Sequence, residues 1–506
     1  MVSLLPHIEA YRNREVLFQY RKRTYIFSLS LGLFSSAGID SGSRFLLKVF
    51  SDFLDDRLKE KGIVGSSLLN DSALAGLFGG KPPLSVLDAG SGIGVLGICA
   101  AGALIDLVSG GDSVSGDNSA SGAGPQRATF NVRAQDRDEL ARIFTEYNAL
   151  NNGLGTEIFN SYAEPLLAGP PGWNLIFSNI PAKAGKSVLM DFVSRSARLL
   201  KKDGKIFLVA VNSLSDFFRL QINTHAALLK EENGKEHTVF VYGRAENGPG
   251  NRIESGAQYD PVIFDRNFPG SYPFYFRKTA DQNEYRMENI SYRLDTIHGA
   301  PDFDSPGGAL EAAAKLSVKI NLASKLAPHL TGEAAMLIHE GGQGHFALWL
   351  SNYMRGDFRR ANPNVVLSGR NILALSAAQA ALKPAEAALE SAQTTTVVPG
   401  STNFTPIIIP AVDIFLDRER ITSVCSSGKG FFFIAYFPEI VPETDRREDA
   451  WEGLSQLCAE GGIVIAGMSS SDSERYDRKK SAAFSRLGEI KRKGFRAFAY
   501  KKIMEI

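Results

Sequence analysis

Cysteine is scarce in this chain of 506 residues, which contains only three. Cys99, Cys425 and Cys458 lie far apart and form no C-x-x-C pair, so the sequence predicts neither a disulfide framework nor a zinc site. Two of them stand in apolar surroundings, which favours buried thiols in a reducing compartment. We therefore expect a cytoplasmic protein without a bound metal.

Long apolar runs and an excess of one charge sign are also absent. The longest apolar runs, such as residues 431–438, are much shorter than the roughly 20 residues that span a bilayer. The first 15 residues carry charges that a secretory signal lacks. Because the formal net charge is +1, any contact with nucleic acid must come from a local patch. A hydrophobic content of 44% is sufficient for two or more soluble domains.

The most informative stretch is residues 86–94, which read V-L-D-A-G-S-G-I-G. An apolar run ends in an acid and alternating glycines, and small apolar residues follow, which predicts a strand, a tight loop and a helix. Glycines let the backbone approach a ligand, and the start of a helix offers free N–H groups to an anion. The spacing resembles motif I of the class I S-adenosylmethionine-dependent methyltransferases more than a dinucleotide-binding G-x-G-x-x-G. A plain strand-to-helix turn is the alternative.

Predicted strands alternate with helices after this loop. We expect residues 130–136 to form a second strand that ends in Asp136, residues 157–164 a third strand with its exit loop, and residues 173–177 a further strand. The alternation predicts a parallel, doubly wound α/β sheet with ligands at the carboxyl ends of its strands. An acid at the end of the second strand can hold a ribose, since one carboxylate accepts hydrogen bonds from both hydroxyls. A solvated loop acid is the alternative.

Four features follow one another in the first half of the chain. They are Gly32–Ser35 with Asp40–Ser43, the glycine loop, Asp136 with the helix that ends near Asn148 and Asn151, and Ser178–Pro181. Together they resemble the small-domain methyltransferases, and among these the ribosomal RNA guanine-N2 methyltransferases, over about residues 20–245. The resemblance implies a Rossmann-like domain that binds S-adenosylmethionine and methylates RNA.

The resemblance also implies a set of site residues. The cofactor would be held by Asp88, Gly90, Ser91, Gly92, Gly94, Asp136, Tyr162 and Asn179, and catalysis would depend on Asn179, Ile180 and Pro181. The glycine loop would take the methionine moiety, with Asp88 near its amino group and Asp136 on the ribose hydroxyls. Tyr162 stands where family members often have an acid that contacts the adenine.

The strand exit at Asn179 suits methylation of an exocyclic amine, whose lone pair is conjugated into the base. If the Asn179 side-chain oxygen and the Ile180 carbonyl accept the two amine hydrogens, the nitrogen can pyramidalise and its developing charge is stabilised. Pro181 would fix the backbone there. Related motifs end in an aromatic that stacks on the base, but this chain has Ala182, so Phe34 is a candidate substitute. A rigid strand exit with an Asn cap is the alternative.

The second half of the chain repeats the first, with a second glycine loop within residues 336–345. Matching the glycines pairs three residues with Asp88, Gly90 and Gly92 of the first loop: Glu340, Gly342 and Gly344. Phe346 then replaces the third glycine, Gly369 stands at the position of the ribose acid, and residues 435–438 replace Ser178–Pro181. The family includes tandem members in which one of two similar domains is inactive, so the resemblance implies a degenerate second domain.

The sequence therefore predicts two tandem doubly wound Rossmann-like methyltransferase domains: a catalytic domain over residues 1–245, a linker or covering segment over 246–290, and a degenerate domain over 291–506. Basic clusters at 475–480 and 491–496 suggest either a solvated face or a patch that grips phosphates.

The function that follows is S-adenosylmethionine-dependent methylation of an exocyclic nitrogen of RNA, with guanine N2 of ribosomal RNA as the specific target. The expected partner is ribosomal RNA or a ribosomal subunit particle, with no membrane and no metal. Two alternatives stay open: methylation of a protein side-chain amide, and a non-catalytic RNA-binding or assembly protein with the same fold.

Overall fold

The computed structural model describes residues 3–34, 36–63, 68–109, 130–245, 275, 283–330, 335–354, 363–382, 406–424 and 430–503. The chain divides into two compact units, Met1–Asp265 and Arg266–Ile506. This division falls within the segment 246–290, most of which lies outside the described residues, as does Cys425. No helix among the described residues is long and apolar enough to cross a membrane.

Unit 1 is built around a seven-stranded sheet. Its helices and strands are α1 (Leu5–Tyr11), β1 (Arg14–Tyr20), β2 (Arg23–Leu29), α2 (Ser41–Glu60), α3 (Asp71–Leu77), β3 (Leu84–Ala89), α4 (Val95–Ser109), β4 (Phe130–Asp136), α5 (Glu139–Asn151), β5 (Phe159–Ala163), β6 (Trp173–Asn179), α6 (Lys186–Leu199), β7 (Leu200–Val211), α7 (Ser215–His225), β8 (Ala227–Asn233) and β9 (His237–Gly243). The strand order is β5-β4-β3-β6-β7-β9-β8, and β1 and β2 form a separate hairpin.

The sheet positions the candidate site at its switch point. Strands β5, β4, β3, β6 and β7 are parallel, and β9 is antiparallel to both β7 and β8. The order of the strands reverses between β3 and β6, where open α/β sheets bind their ligands beyond the carboxyl ends of the strands. Strands β3 and β6 are buried along almost their whole length, as is expected for strands covered on both faces.

An aromatic cluster fixes α2 on this sheet. The ring of Phe50 in α2 lies 4.8 Å from that of Phe177 in β6 and 5.2 Å from that of Phe207 in β7, centroid to centroid. All three side chains are fully buried. Burying an aromatic side chain of this size stabilises the fold by roughly 1.5–3 kcal/mol, so the middle of α2 is held against β6 and β7.

A buried amide ties the β1–β2 hairpin to the rest of unit 1. The side-chain oxygen of Asn148 in α5 accepts a hydrogen bond from the N–H of Ser28 at 2.8 Å. Its nitrogen donates to the carbonyl of Ser28 at 3.2 Å and to that of Ile93 at 3.0 Å. One side chain therefore joins the hairpin, α5 and the loop that follows β3.

Unit 2 repeats this architecture. Its elements are β10 (Glu284–Met287), β11 (Ile290–Arg293), α8 (Gly308–Lys319), α9 (Leu322–Leu326), β12 (Ala335–His339), α10 (His345–Tyr353), β13 (Asn364–Gly369), α11 (Ile372–Leu382), β14 (Pro406–Pro410), α12 (Arg418–Thr422), β15 (Phe431–Tyr436), α13 (Arg447–Leu457), β16 (Cys458–Ser469), α14 (Ser470–Arg478), β17 (Phe484–Arg492) and β18 (Phe495–Lys502). The strand order β14-β13-β12-β15-β16-β18-β17 matches that of unit 1 position by position. The predicted pair of tandem doubly wound domains is confirmed.

Candidate active site

The loop 90–94 joins β3 to α4 and has the conformation that only glycine adopts easily. Gly90, Gly92 and Gly94 have φ angles of 79°, 57° and 88°, in the left-handed region that disfavours side chains. The N–H groups of Gly90 and Ser91 donate to the carbonyl of Gln135 at 2.9 and 3.0 Å. The neighbouring strand β4 therefore fixes the shape of the loop.

Gly92 differs from the other two glycines in what it faces. A Cβ atom at Gly90 would lie 2.9 Å from the side chain of Leu166, and one at Gly94 would lie 3.0 Å from that of Thr145. A Cβ atom at Gly92 would meet no atom of the described residues within 4 Å. The first and third glycines thus allow close packing within the protein, whereas Gly92 borders open space that a ligand can enter.

Asp88, near the end of β3, is fully buried. Its Oδ2 atom accepts a hydrogen bond from the N–H of Gly97 at 2.8 Å, while its Oδ1 atom has no hydrogen-bond partner among the residues that the structure describes. Burial raises the pKa of Asp88 to about 7; the Gly97 hydrogen bond opposes the rise and the nearby Asp136 carboxylate adds to it. An unpaired buried carboxylate oxygen is costly, so a polar ligand near the loop would find an acceptor here.

Asp136 ends β4 beside Gly92. Its Oδ2 atom accepts a hydrogen bond from the N–H of Gly92 at 3.1 Å, and its Oδ1 atom accepts one from the N–H of Asp138 at 3.1 Å. Burial and the charge of Asp138 raise the pKa of Asp136, while the two backbone donors oppose the rise. Each carboxylate oxygen has a second lone pair, so Asp136 can still accept hydrogen bonds from the hydroxyls of a ribose.

Tyr162 does not join these residues. Gln135 pairs with Tyr162 and Asp136 with the next residue of β5, and since successive side chains alternate between faces, Tyr162 and Asp136 lie on opposite faces of the sheet. The guanidinium carbon of Arg133 lies 3.6 Å from the centroid of the Tyr162 ring. Arg133 also forms an ion pair with Glu164. The structure therefore gives Tyr162 a cation–π partner within the protein.

Asn179 lies at the carboxyl end of β6, next to the end of β3. The two strands are parallel neighbours, with Asp88 paired to Phe177. The hydroxyl of Ser178 donates to the carbonyl of Ala89 at 2.8 Å. The strand exit and the glycine loop are thus held at the same edge of adjacent strands, as the sequence predicts.

The side chain of Asn179 is anchored by residues whose role sequence reasoning missed. Its Nδ2 atom donates to Asp40 Oδ1 at 2.8 Å and lies 3.2 Å from Ser43 Oγ. Asp40 is also the N-cap of α2, because the same oxygen accepts a hydrogen bond from the N–H of Ser43 at 2.8 Å. The D-x-x-S pattern before an apolar helix predicts the cap, but it carries no signal for the contact with Asn179.

The loop after Asn179 is exposed on one side. Ile180 is buried, whereas Pro181, Ala182 and Lys183 are exposed. Ala182 offers a base no aromatic surface. Phe34, in the loop that leads to α2, exposes 70% of its surface.

Among the described residues, no three His, Cys, Asp or Glu side chains come together as a metal site.

The second glycine loop has the same conformation as the first. Positive φ angles recur at its first, third and fifth residues, which are Glu340 (55°), Gly342 (63°) and Gly344 (113°). The N–H of Glu340 donates to the carbonyl of Ser368 at 2.8 Å, in the same way that the N–H of Gly90 donates to Gln135. Loop 340–344 therefore corresponds to loop 90–94 residue by residue.

This correspondence corrects the alignment drawn from the sequence. Ile338 occupies the place of Asp88, and Glu340 occupies that of the first glycine. Pairing Glu340 with Asp88, and Phe346 with the third glycine, is wrong by two residues. The physical reason is that a non-glycine residue takes the left-handed conformation at Glu340, so the glycine pattern alone misplaces the end of the strand.

The strand exit of unit 2 also differs by one residue from the sequence alignment. In unit 1, Asn179 lies two residues beyond the strand partner of Asp88. The same position in unit 2, two residues beyond the partner of Ile338, is Phe437. The alignment had placed Tyr436 there. Neither Tyr436 nor Phe437 has the side-chain amide that Asn179 provides in unit 1.

Unit 2 fills its own glycine loop with side chains. Gly369 stands at the position of Asp136, as the sequence predicts, and a Cβ atom on Gly369 would lie 2.8 Å from Glu340 Oε2. The other carboxylate oxygen of Glu340 accepts a hydrogen bond from the N–H of Arg370 at 2.7 Å. At Gly342, where Gly92 borders open space, a Cβ atom would lie 3.1 Å from Asp302 Oδ2.

The buried side chain of Gln343 holds residues 297–302, which include Asp302, next to the glycine loop of unit 2. The Oε1 atom of Gln343 accepts a hydrogen bond from the N–H of Ile297 at 2.7 Å, and its Nε2 atom donates to the carbonyl of Pro301. His345 contacts the carbonyl of Asp302 through Nε2 at 2.9 Å. The loop of unit 2 thus keeps the backbone shape but contacts its own chain where unit 1 is open.

One solved structure that matches nearly the whole chain agrees with this fold. No family model and no curated protein sequence matches the chain. Among solved structures, a T. thermophilus 16S rRNA N2 methyltransferase in complex with AdoMet and guanosine matches 98% of this chain and 99% of its own, with a TM-score of 0.54 and 13% identity. A TehB-like SAM-dependent methyltransferase from Corynebacterium glutamicum matches 39% of this chain and 100% of its own, with a TM-score of 0.24 and 14% identity. The first match spans both units, so this chain has the fold of a tandem Rossmann-like methyltransferase.

Proposed function

We propose that unit 1 binds S-adenosylmethionine and transfers its methyl group to an exocyclic nitrogen of an RNA base, with guanine N2 of ribosomal RNA as the target. The observation that carries the proposal is the side chain of Asn179, whose nitrogen is held by Asp40 and Ser43 beside an open glycine loop. The solved structure that matches both units is a 16S rRNA N2 methyltransferase crystallised with AdoMet and guanosine, which supports the choice of cofactor and base.

The residues around the loop fit the cofactor. Gly92 lets the backbone meet the methionine moiety, and the first turn of α4 offers N–H groups to its carboxylate. The unpaired Oδ1 atom of Asp88 matches a positively charged amino group. Asp136 would hold the ribose hydroxyls, while Gly90, Ser91 and Gly94 keep the loop in shape. The described contact of Tyr162 is with Arg133 of the same unit, so a role for Tyr162 near the adenine stays a prediction.

When bound, S-adenosylmethionine supplies a methyl group on a positively charged sulfur. The chain's own part is to place the base, because in-line transfer depends mainly on positioning. Asn179 Oδ1 and the Ile180 carbonyl would accept the two amine hydrogens, which frees the nitrogen lone pair and stabilises its positive charge. Pro181, with φ of −68°, restricts the backbone directly after this carbonyl.

The target base would need a surface to stack on, and Phe34 is our candidate for it. Its ring is 70% exposed, and its loop ends at Asp40, which contacts Asn179. Stacking of a base on an aromatic side chain is worth about 1–3 kcal/mol. Lys183 is exposed near the same exit and would contact a phosphate of the RNA.

Transfer of a labelled methyl group tests the proposal. The purified chain is incubated with methyl-labelled S-adenosylmethionine and with total RNA from cells that lack the protein, and the RNA is digested to nucleosides. We expect label in N2-methylguanosine. Removing one preorganised hydrogen-bonding group that stabilises charge in a transition state, such as a donor of an oxyanion hole, costs on the order of 100- to 1,000-fold in rate, so we expect a loss of that order for Asn179→Ala.

A matched control is Asn160→Ala, because Asn160 lies on the edge strand β5 and, among the described residues, its side-chain nitrogen donates to the Thr156 carbonyl at 2.8 Å. This variant should transfer the methyl group at the wild-type rate. A parallel reaction contains protein extract from the same cells in place of RNA. Label in that protein and none in RNA would contradict the proposal and favour methylation of a side-chain amide. Absence of any cofactor binding would favour an RNA-binding or assembly role.

A further inference from the structure

The Asn179 amide is held from one side only. Both contacts made by its nitrogen are to oxygen atoms at the start of α2: Oδ1 of the N-cap Asp40 at 2.8 Å and Oγ of Ser43, within the first turn, at 3.2 Å. Among the described residues, its Oδ1 atom has no hydrogen-bond partner. The nitrogen is therefore committed to α2, and the oxygen is left for a molecule that enters the site.

The carboxylate of Asp40 decides which way this amide faces. An ionised carboxylate has no hydrogen to donate, so turning the Asn179 amide over would bring two acceptor oxygens together. The same Asp40 oxygen caps α2, and α2 is packed on β6 and β7 through the buried ring of Phe50. The orientation of the amide is thus tied to a rigid element.

Unit 2 lacks both members of this pair. The N-cap of the corresponding helix α8 is Gly307, which makes no side-chain cap. The residue at the position of Asn179 is Phe437. The unit whose glycine loop is filled therefore lacks this contact. Because both units share the fold, the contact between Asp40 and Asn179 goes with the open site of unit 1 and is not required by the fold.

We propose that Asp40 is a positioning residue: it orients the carboxamide of Asn179 so that the oxygen faces the amine to be methylated. The inference rests on the proposed function, because it specifies how that amine is received. Asp40 itself touches neither the base nor the methyl group in this account. Misplacing a reacting group by ~1 Å can cost on the order of 100-fold in rate.

Three variants separate this role from the capping of α2. Asp40→Ser keeps an N-cap, since serine and aspartate cap about equally well, but its shorter side chain withdraws from Asn179. Asp40→Asn keeps both the cap and the acceptor oxygen. Ser41→Ala alters the same helical turn at a hydroxyl that lies 3.5 Å from Glu236 and away from Asn179.

Kinetics give the first readout. We expect Asp40→Ser to lower kcat by about 10- to 100-fold, with the KM for S-adenosylmethionine and the Tm unchanged. Asp40→Asn should keep most of the wild-type kcat, and Ser41→Ala all of it. A wild-type kcat for Asp40→Ser, or equal losses in Asp40→Ser and Asp40→Asn, would overturn the inference while leaving the proposed function intact.

An NMR readout does not depend on activity. The side-chain N–H signals of Asn179, identified by their absence from the spectrum of Asn179→Ala, should be protected from exchange with solvent in the wild type and unprotected in Asp40→Ser. Equal exchange in the two proteins would overturn the inference. If the wild type transfers no methyl group to RNA, the proposed function fails, and this measurement still decides whether Asp40 holds the amide.

Discussion

Burial raises the pKa of the Asp88 carboxyl group, whereas binding of a positively charged ligand would lower it. Burial raises its pKa to about 7, so the unbound protein carries a largely neutral Asp88 below that pH. A bound cofactor would bring a positively charged amino group to the unpaired Oδ1 atom, which favours the ionised carboxylate. Binding should therefore release a proton from Asp88 near neutral pH.

The affinity for S-adenosylmethionine should consequently rise with pH between about 6 and 7.5, and calorimetry in buffers of different ionisation enthalpy should detect the released proton. Asp88→Asn should bind more weakly and lose this pH dependence. The stability of the unbound protein should depend on pH in the opposite sense. A raised carboxyl pKa stabilises the fold at low pH, and this contribution to the free energy of unfolding is lost as the pH rises from about 4 to about 7, by up to ~1.4 kcal/mol per pH unit. An affinity that is flat with pH in the wild type would contradict the assigned role of Asp88.

Side chains far apart in sequence were the part of the site that could not be predicted. The acids at the ends of β3 and β4, and the Asn at the end of β6, follow from strand patterns, because parallel strands bring their carboxyl ends to one edge. The contact of Asp40 with Asn179 joins residues 139 positions apart, and no local pattern encodes it. The Arg133–Tyr162 contact depends in the same way on the register of neighbouring strands.

The two glycine loops show how one structural element can keep its shape while its contacts change. Both loops have left-handed residues at the same three positions, yet only the first borders open space at its central glycine. Predicting the element from the sequence was correct, whereas its alignment was not, because Glu340 adopts a conformation that was expected of glycine.

Gly92→Ala and Gly342→Ala form a matched pair for testing this difference. Each places a Cβ atom at a similar positive φ, which should cost about 1–2 kcal/mol of stability, and Gly342→Ala should cost more than Gly92→Ala because its Cβ atom would lie 3.1 Å from Asp302 Oδ2. Gly92→Ala should also weaken binding of S-adenosylmethionine by at least about tenfold, because its methyl group enters the ligand's space, and Gly342→Ala should not affect binding. Isothermal titration should give one bound cofactor per chain in the wild type; two would contradict a filled loop in unit 2.

At the scale of the whole molecule, the duplication gives one unit an open site and leaves the other with the fold alone. Two of the basic residues near the end of unit 2 form ion pairs within the protein: Arg492 contacts Glu288 at 2.8 Å and Glu311 at 3.3 Å, and Arg496 contacts Glu489 at 3.2 Å. Such pairs fit a solvated face stabilised by ion pairs. A patch on unit 2 that grips phosphates stays a prediction, carried by exposed residues such as Lys491 and Lys493.

The central claim is that the open site of unit 1 methylates RNA, and a map of methylated nucleotides in ribosomal RNA tests it most directly. Cells that lack the protein should lose one N2-methylguanosine, which wild-type protein should restore and Asn179→Ala should not. An unchanged map in the absence of the protein, or restoration of the lost modification by Asn179→Ala, would contradict the account.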